Sequence, residues 1–245
     1  MHRSFEWLFL HTRNALSSSD REEFVAQQTD PSTGEVQYSL ERIAHWPEAA
    51  VALLVDQLRG WCAAKTDARV LLGSLAMIDP RLGVWCAATV VERRMNRRTA
   101  SIDPARAALD VARDWAIGRA TPEQCQRAAD AARAFANARD DAAEAWAEIA
   151  ANEAEAYGAP TASYAREDSR RGSLAAVELA NAAATVASAA ANPRVTVAHM
   201  AMVATRVAAA GAHTNNLAAT EDLRAQCETI TEAVSRAIEA LARGA

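Results

Sequence analysis

The chain has 245 residues, a formal net charge of −5, and 51% hydrophobic but only 5% aromatic residues. This length allows one large domain or two small ones, each able to bury a core. The mild negative charge argues against a general nucleic-acid binder, which normally carries a strongly basic face.

Alanine makes up roughly a quarter of the chain, whereas the β-branched and aromatic residues that strands favour are few. Alanine has the highest helix propensity and little bulk, so it suits helices that approach one another closely. No long run alternates between apolar and polar residues. We therefore expect an all-α fold, a multi-helix bundle of about nine or ten helices with no strand.

The cysteines lie far apart without a C-x-x-C pair, at Cys62, Cys86, Cys125 and Cys227. This spacing is typical of free thiols in a reducing cytosol rather than of a zinc site or a disulfide framework. The apolar piece Phe5–Leu10 is too short for a signal peptide, and no stretch approaches the roughly 20 apolar residues that span a bilayer. We expect a cytoplasmic protein.

The first residues, 1–38, are the least regular part and are predicted to form an N-terminal arm with short helices. One helix covers about Arg3–Leu16. The capping-box spacing that begins at Ser19 predicts a second helix, which ends near Gln28. A turn follows at Asp30-Pro31-Ser32-Thr33-Gly34.

Residues 39–245 are predicted to form a helical bundle domain, with a subdivision near 159–172 as an alternative. Proline and aspartate mark several helix starts, because proline lacks only an N–H that the first turn does not use and aspartate accepts from the free N–H groups there. These and the stop signals predict helices at Pro47–Ala64, Asp67–Ile78, Pro80–Met95, Asp103–Gly118, Thr121–Tyr157, Ser173–Ala191, Val195–Gly211 and Leu217–Arg243. The polar piece Thr161–Arg171 is predicted to be a loop, and a break of the long helix near Asp140 is an alternative.

Three carboxylates in the long helix resemble the aspartate-rich motif that holds magnesium in terpene cyclases: Asp140, Asp141 and Glu144. Carboxylates one turn apart can bind a diphosphate-bound Mg²⁺. Those enzymes also need an aromatic-lined pocket and a second metal motif, whereas the later helices here carry few aromatic residues. A magnesium-dependent, diphosphate-handling enzyme is therefore an alternative function rather than the leading one.

The same helix carries an acidic stripe at helical spacing, formed by Asp141, Glu144, Glu148, Asn152 and Glu155. Such a stripe can dock a basic partner and speed association, although any solvated surface helix shows a similar pattern. We take this stripe as the candidate partner-binding surface. Ala142, Trp146 and Ile149 fall on another side of the helix, which is expected to face the core.

No other pattern predicts a catalytic residue, a metal ligand or a cofactor site. The histidines lack a His-x-x-x-His or Glu-x-x-His pair, and His199 is expected to be a hydrogen-bonded interior residue. A cluster of cations suits the end of a helix dipole at Arg93, Arg94, Arg97 and Arg98. Anchors of the core are expected at Trp61, Trp85, Trp115 and Trp146.

Three segments carry a recognisable pattern. The first is Leu82-Gly83-Val84-Trp85-Cys86-Ala87-Ala88 with Glu92. The second is Asp103-Pro104-Ala105-Arg106-Ala107-Ala108-Leu109-Asp110-Val111-Ala112-Arg113-Asp114-Trp115-Ala116-Ile117-Gly118 followed by Thr121, and the third is Val197-Ala198-His199-Met200-Ala201. In this order, over about residues 71–211, they resemble the immunity-protein-five-like family of alanine-rich, all-helical bacterial immunity proteins. The insertion at 159–171 departs from the family pattern.

This resemblance implies a cytoplasmic protein that binds and neutralises a toxin, often one delivered between neighbouring bacteria. It implies no catalytic residue and no cofactor. The expected function is a non-enzymatic immunity protein whose partner is a cognate protein toxin encoded nearby, with no nucleic-acid or membrane partner. Besides the magnesium enzyme, a structural scaffold that self-associates through a helical face is an alternative.

Overall fold

The computed structural model describes residues 5–95, 102–157, 160–215 and 219–243, with the helical backbone alone at 143, 144, 146, 147, 150–157, 160–169, 214, 215 and 219. These residues form ten α-helices and no strand, which confirms the predicted all-α bundle. The helices are α1 (Glu6–Ala15), α2 (Ser18–Gln28), α3 (Glu48–Ala63), α4 (Ala68–Ile78), α5 (Pro80–Met95), α6 (Asp103–Ala116), α7 (Pro122–Tyr157), α8 (Pro160–Ala191), α9 (Thr196–Asn215) and α10 (Ala219–Arg243).

The two N-terminal helices bring aromatic side chains into the core. Phe9 of α1 stacks on Tyr38, with ring centroids 5.6 Å apart, and Phe24 of α2 meets Trp46 edge to face at 4.8 Å. All four rings are buried. Aromatic pairs of this geometry bury large areas, so they tie α1 and α2 to the segment that leads into α3. Helix α2 starts slightly earlier than predicted because its cap is Ser17.

Side-chain caps begin the following helices at the predicted positions. Asp67 and Asp79 each accept a hydrogen bond from the backbone N–H two residues on, at 2.9 and 2.8 Å. At the start of α7, the Thr121 N–H donates to Gln124 Oε1 at 2.7 Å, and the Gln124 N–H donates to Thr121 Oγ1 at 3.3 Å. This reciprocal capping box satisfies two N–H groups that a helix start leaves without internal partners.

Helix α8 is the centre of the bundle, with α5, α6, α7 and α9 packed around it. In the second half of α8, most side chains are buried, and these are mainly alanines together with Leu179 and Val186. Small side chains let helix backbones approach closely, as they also do between α4 and α5. There, a Cβ added to Gly83 would lie 2.6 Å from the Cβ of Ala76. The core therefore depends on backbone proximity as well as on large side chains.

The prediction of a loop at 161–171 is wrong, because α8 begins at Pro160 and runs without interruption to Ala191. Polarity indicates contact with water rather than irregular backbone, and proline suits the first turn of a helix. The alternative break near Asp140 does not occur either, since α7 is continuous over 36 residues. The two helices run antiparallel: Arg133, early in α7, donates to Ser188, late in α8, at 3.0 Å.

One half of this helical pair extends beyond the core. The buried residues of α7 end at Ala136, and those of α8 begin at Ala175. Between 137 and 174, none of the side chains that the structure describes is buried. We call residues 137–157 and 160–174 the distal hairpin. At 1.5 Å per residue, the α7 half of the distal hairpin, which has about twenty residues, spans roughly 30 Å.

Two helical segments are long and apolar enough to cross a membrane, contrary to the expectation from the sequence: Arg170–Ala191 and Pro193–His213. Of their most apolar windows, 72% and 44% are buried inside the bundle. Core helices that are apolar on most sides share this length and composition. The cytoplasmic location stays a prediction.

Candidate binding surface

The acidic stripe predicted from the sequence lies on α7, in the distal hairpin. Asp141 and Glu148 are exposed. Glu144, Asn152 and Glu155 lie on the same helix, but their side chains fall outside those that the structure describes. Since α7 is continuous through this region, all five residues belong to one helix rather than to two elements that meet.

The distal part of α7 concentrates the negative charge of the chain. Residues 140–157 contain six acidic residues and no basic one. The remaining 25 acidic residues are balanced by the 26 basic residues of the whole chain, which leaves +1 for everything else. The net charge of −5 therefore arises from this one stretch of helix, and a cationic partner is attracted towards it.

Two residues next to the stripe contradict the prediction that they face the core. Ala142 is exposed, and the side chain of Ile149 is 48% exposed. The side chain of Trp146 is outside the described ones. Helical periodicity identifies a line of apolar residues, but it does not reveal whether another element packs against that line. Here the line lies on the part of α7 that extends beyond the core.

The three carboxylates of the magnesium motif predicted from the sequence lie on one continuous helix, α7. Asp140 and Asp141 are both exposed on α7, and the Glu144 side chain is outside the described residues. Among the side chains that the structure does describe, no group of three or more histidines, cysteines, aspartates or glutamates could hold a metal ion.

His199 differs from its prediction as a hydrogen-bonded interior residue. It lies half-buried on α9, and its Nδ1 atom is buried without a hydrogen-bond partner among the described residues. Burial, together with the positive charge of Arg133, lowers the pKa of the His199 imidazole. Both effects disfavour the imidazolium form.

The thiols are free, as predicted, and all four are buried: Cys62, Cys86, Cys125 and Cys227. Burial raises the pKa of Cys62 to about 12 and the pKa values of Cys125 and Cys227 to about 11. A buried thiol with a raised pKa carries little thiolate at neutral pH and is a poor nucleophile.

A polar groove of about 300 Å³, which the sequence did not reveal, lies between α5 and α10. Arg93 donates to Glu232 at 2.6 Å on its wall, and Arg94 pairs with Asp222 close by. Both arginines of α5 therefore bind carboxylates of α10. From the sequence, their position is explained only by the dipole at the end of α5. Arg97 and Arg98 lie outside the described residues.

A wider cavity of about 540 Å³ lies between α3 and the last turn of α10. Trp46 lines it, and the indole Nε1 of this buried residue has no hydrogen-bond partner in the described part of the chain. Trp46 was not predicted to be a core residue, because it precedes Pro47 between two predicted elements. Three of the predicted anchors are only half-buried against the core: Trp61, Trp85 and Trp115.

Three large apolar side chains are exposed on α4 and α9. Val70 of α4 and Val197 and Met202 of α9 are all exposed, and the two helices pack against each other. Exposed apolar patches mark interaction sites when they are large and contiguous. These three side chains carry no charge that would identify a kind of partner, in contrast to the acidic residues of the distal hairpin.

Among the described surfaces, the distal hairpin therefore combines exposed side chains with the largest concentration of charge. Comparison with known proteins adds no assignment to it: no protein-family model, no curated protein and no solved structure matches the chain.

Proposed function

We propose that this chain is a non-enzymatic binding protein, a bacterial immunity protein that binds a cognate protein toxin and neutralises it through the distal hairpin. One observation carries the proposal. The acidic side chains Asp141 and Glu148 are exposed on a half-helix that adds no described buried side chain to the core. These exposed carboxylates add nothing to the packing of the described core and are accessible to a partner.

Charge complementarity supports a basic toxin. The net charge of −6 on residues 140–157 attracts a cationic surface. The range of this attraction is set by the Debye length, about 8 Å at physiological ionic strength. Nuclease-type toxins carry such surfaces because their substrate is polyanionic. A protein that binds the basic active site of such a toxin excludes the nucleic acid, because both bind the same cationic surface.

The test is titration calorimetry of the full chain against the product of the adjacent upstream gene, prepared as an inactive variant. Tight stoichiometric binding is expected, together with loss of toxicity when the active form is co-expressed. A harmless neighbour that does not bind would overturn the immunity role.

The surface is tested by a triple charge reversal of Asp141, Glu144 and Glu148 to arginine. This variant should bind the toxin more than about tenfold more weakly, because like charges placed opposite one another repel. The matched control reverses Glu22, Glu23 and Glu228, which are exposed on α2 and α10. It changes the net charge equally and should leave the affinity nearly unchanged.

A self-associating scaffold is the second candidate, and the exposed apolar residues Val70, Val197 and Met202 favour it. Sedimentation equilibrium distinguishes a self-associating scaffold from a monomeric binding protein. A mass that rises with concentration, and that returns to the monomer value in Val70→Glu, supports self-association. A constant monomer mass excludes it.

A further inference from the structure

We infer that the outward face of α7 in the distal hairpin is the docking face for a basic amphipathic helix of the partner protein. This inference rests on the proposed function and adds to it the kind of structure that the partner presents. It starts from the residues of α7 that were expected in the core and are exposed instead.

The exposed apolar residues of distal α7 follow the spacing of a coiled-coil seam. Ala138, Ala142, Ala145 and Ile149 are all exposed, and they are four, three and four residues apart. That spacing averages about 3.5 residues per turn and places side chains in one line on a helix. In the heptad notation, Ala142 and Ile149 occupy a positions, while Ala138 and Ala145 occupy d positions.

The acidic residues occupy the flank of the same seam. In this register, Asp141 and Glu148 are at successive g positions, and both are exposed. The sequence continues the series at Glu155. Residues at g contact the charged flank of a partner helix and select it by charge. A flank that is acidic at each of these positions selects lysine or arginine opposite.

The shape of the seam fits a helix with larger apolar residues. Three of its four members are alanines, which leave shallow hollows between turns, and the exposed Ile149 stands at one end. Leucine or isoleucine side chains from a partner helix fill such hollows as knobs fit into holes. Alanines also permit the short distance between helix axes, about 8 Å, at the lower end of helix packing.

Other occupants fit less well. Helix α8 already packs on α7, and the seam residues are exposed with α8 in place. A second copy docked antiparallel through the same face would bring the acidic g flank against the acidic g flank, which disfavours pairing. Nucleic acids and anionic membranes are repelled by the same charge. A basic helix satisfies both the seam and its flank.

The experiment uses two synthetic peptides of three heptads, both with leucine at a and d, one with lysine and the other with glutamate at e and g. Each is titrated calorimetrically into the full chain. The lysine peptide should bind one to one, gain helical circular dichroism and weaken as salt is raised. The glutamate peptide should not bind. A dissociation constant above about 1 mM for the lysine peptide overturns the inference.

Variants connect the binding to this face. The pair Asp141→Lys with Glu148→Lys should invert the preference, so that the glutamate peptide now binds and the lysine peptide does not. Ile149→Ser should weaken binding of the lysine peptide about fivefold or more, since it removes the largest apolar contact. The control pair Glu22→Lys with Glu228→Lys should keep the original preference. An inversion by the control pair, or a dimer of the unmodified chain that Ile149→Ser dissociates, also overturns the inference.

The outcomes separate this inference from the proposed function. If the upstream gene product binds the chain but the lysine peptide does not compete with it, the immunity role stands and the docking mode is wrong. If the lysine peptide binds in the expected manner and the upstream gene product does not, the docking face stands and the immunity role is wrong.

Discussion

Arg94 of α5 forms an ion pair with Asp222 of α10 in the interior of the bundle, where the two side chains are only 11% and 1% exposed. Gln226 supports the pair: its Nε2 atom donates to Asp222 Oδ2 at 2.8 Å and to the Ala204 carbonyl at 3.2 Å. The cluster links α5, α9 and α10. Buried charges of this kind are costly to separate, because a charge left without its partner has lost its hydration as well.

Replacing Asp222 by alanine should lower the free energy of unfolding by about 3 kcal/mol, since the substitution removes the buried carboxylate that faces Arg94. Urea denaturation followed by circular dichroism measures this. In the control Glu239→Ala, the lost partner is Arg243 and both side chains are exposed. That change should stay within about 0.5 kcal/mol. Comparable losses in the two variants would contradict the prediction.

Two glycine substitutions should change stability in opposite directions. In Gly83→Ala, the new Cβ would lie 2.6 Å from the Cβ and 2.8 Å from the Cα of Ala76, so α4 and α5 must move apart. We expect a loss of about 1–3 kcal/mol. In Gly60→Ala, nothing lies within 4 Å of the new atom, and α3 gains up to about 1 kcal/mol from helix propensity. Thermal unfolding of both variants tests the pair, and a stabilised Gly83→Ala would refute the close contact.

Alkaline pH should destabilise the fold through its buried thiols. Burial raises the pKa of Cys62 to about 12, whereas an unfolded thiol ionises near about 8.5. Between these values the unfolded chain releases a proton that the folded chain keeps, so the free energy of unfolding falls as pH rises. One thiol contributes up to about 1.4 kcal/mol per pH unit.

Cys62→Ala removes this contribution. Its free energy of unfolding should therefore fall less steeply than that of the unmodified chain between about pH 8.5 and 10.5. Urea titrations at several pH values give both slopes. Parallel slopes would show that the Cys62 thiol ionises equally in the folded and unfolded chains.

His199 should make the opposite contribution under acid conditions. Burial and Arg133 lower the pKa of its imidazole in the folded chain. As pH falls below about 6.5, the unfolded chain takes up a proton first, so stability is lost on acidification. His199→Gln should reduce this loss. In an NMR titration of the imidazole, Arg133→Gln should move the pKa of His199 back towards its usual value, and an unmoved pKa would exclude Arg133 as a cause.

The helix starts could be predicted from the sequence because local hydrogen bonds determine them. Asp67, Asp79 and the Thr121–Gln124 pair lie within a few residues of the N–H groups that they cap. The first half of α8 was missed for a related reason. Its polar residues carry information about solvent, and solvent contact does not distinguish an exposed helix from a loop.

The surroundings of each helix could not be read in the same way. Arg94 and Asp222 are far apart in the sequence, and nothing local connects them. Ile149 illustrates the same difficulty for the candidate surface: its spacing from Ala142 and Ala145 marks an apolar line. Only the positions at which α7 leaves the bundle show that this line faces outward. The acidic stripe itself was visible in the sequence because charge and spacing are local properties.

The distal hairpin separates two demands that most binding proteins place on the same residues. Its described side chains are not buried, so substitutions there cost little folding free energy. The alanine core at the other end of the same two helices tolerates few changes of volume. Descendants of such a chain can therefore acquire new partners through substitutions in the distal hairpin. The alanine core then remains unchanged, and the protein stays above its stability threshold.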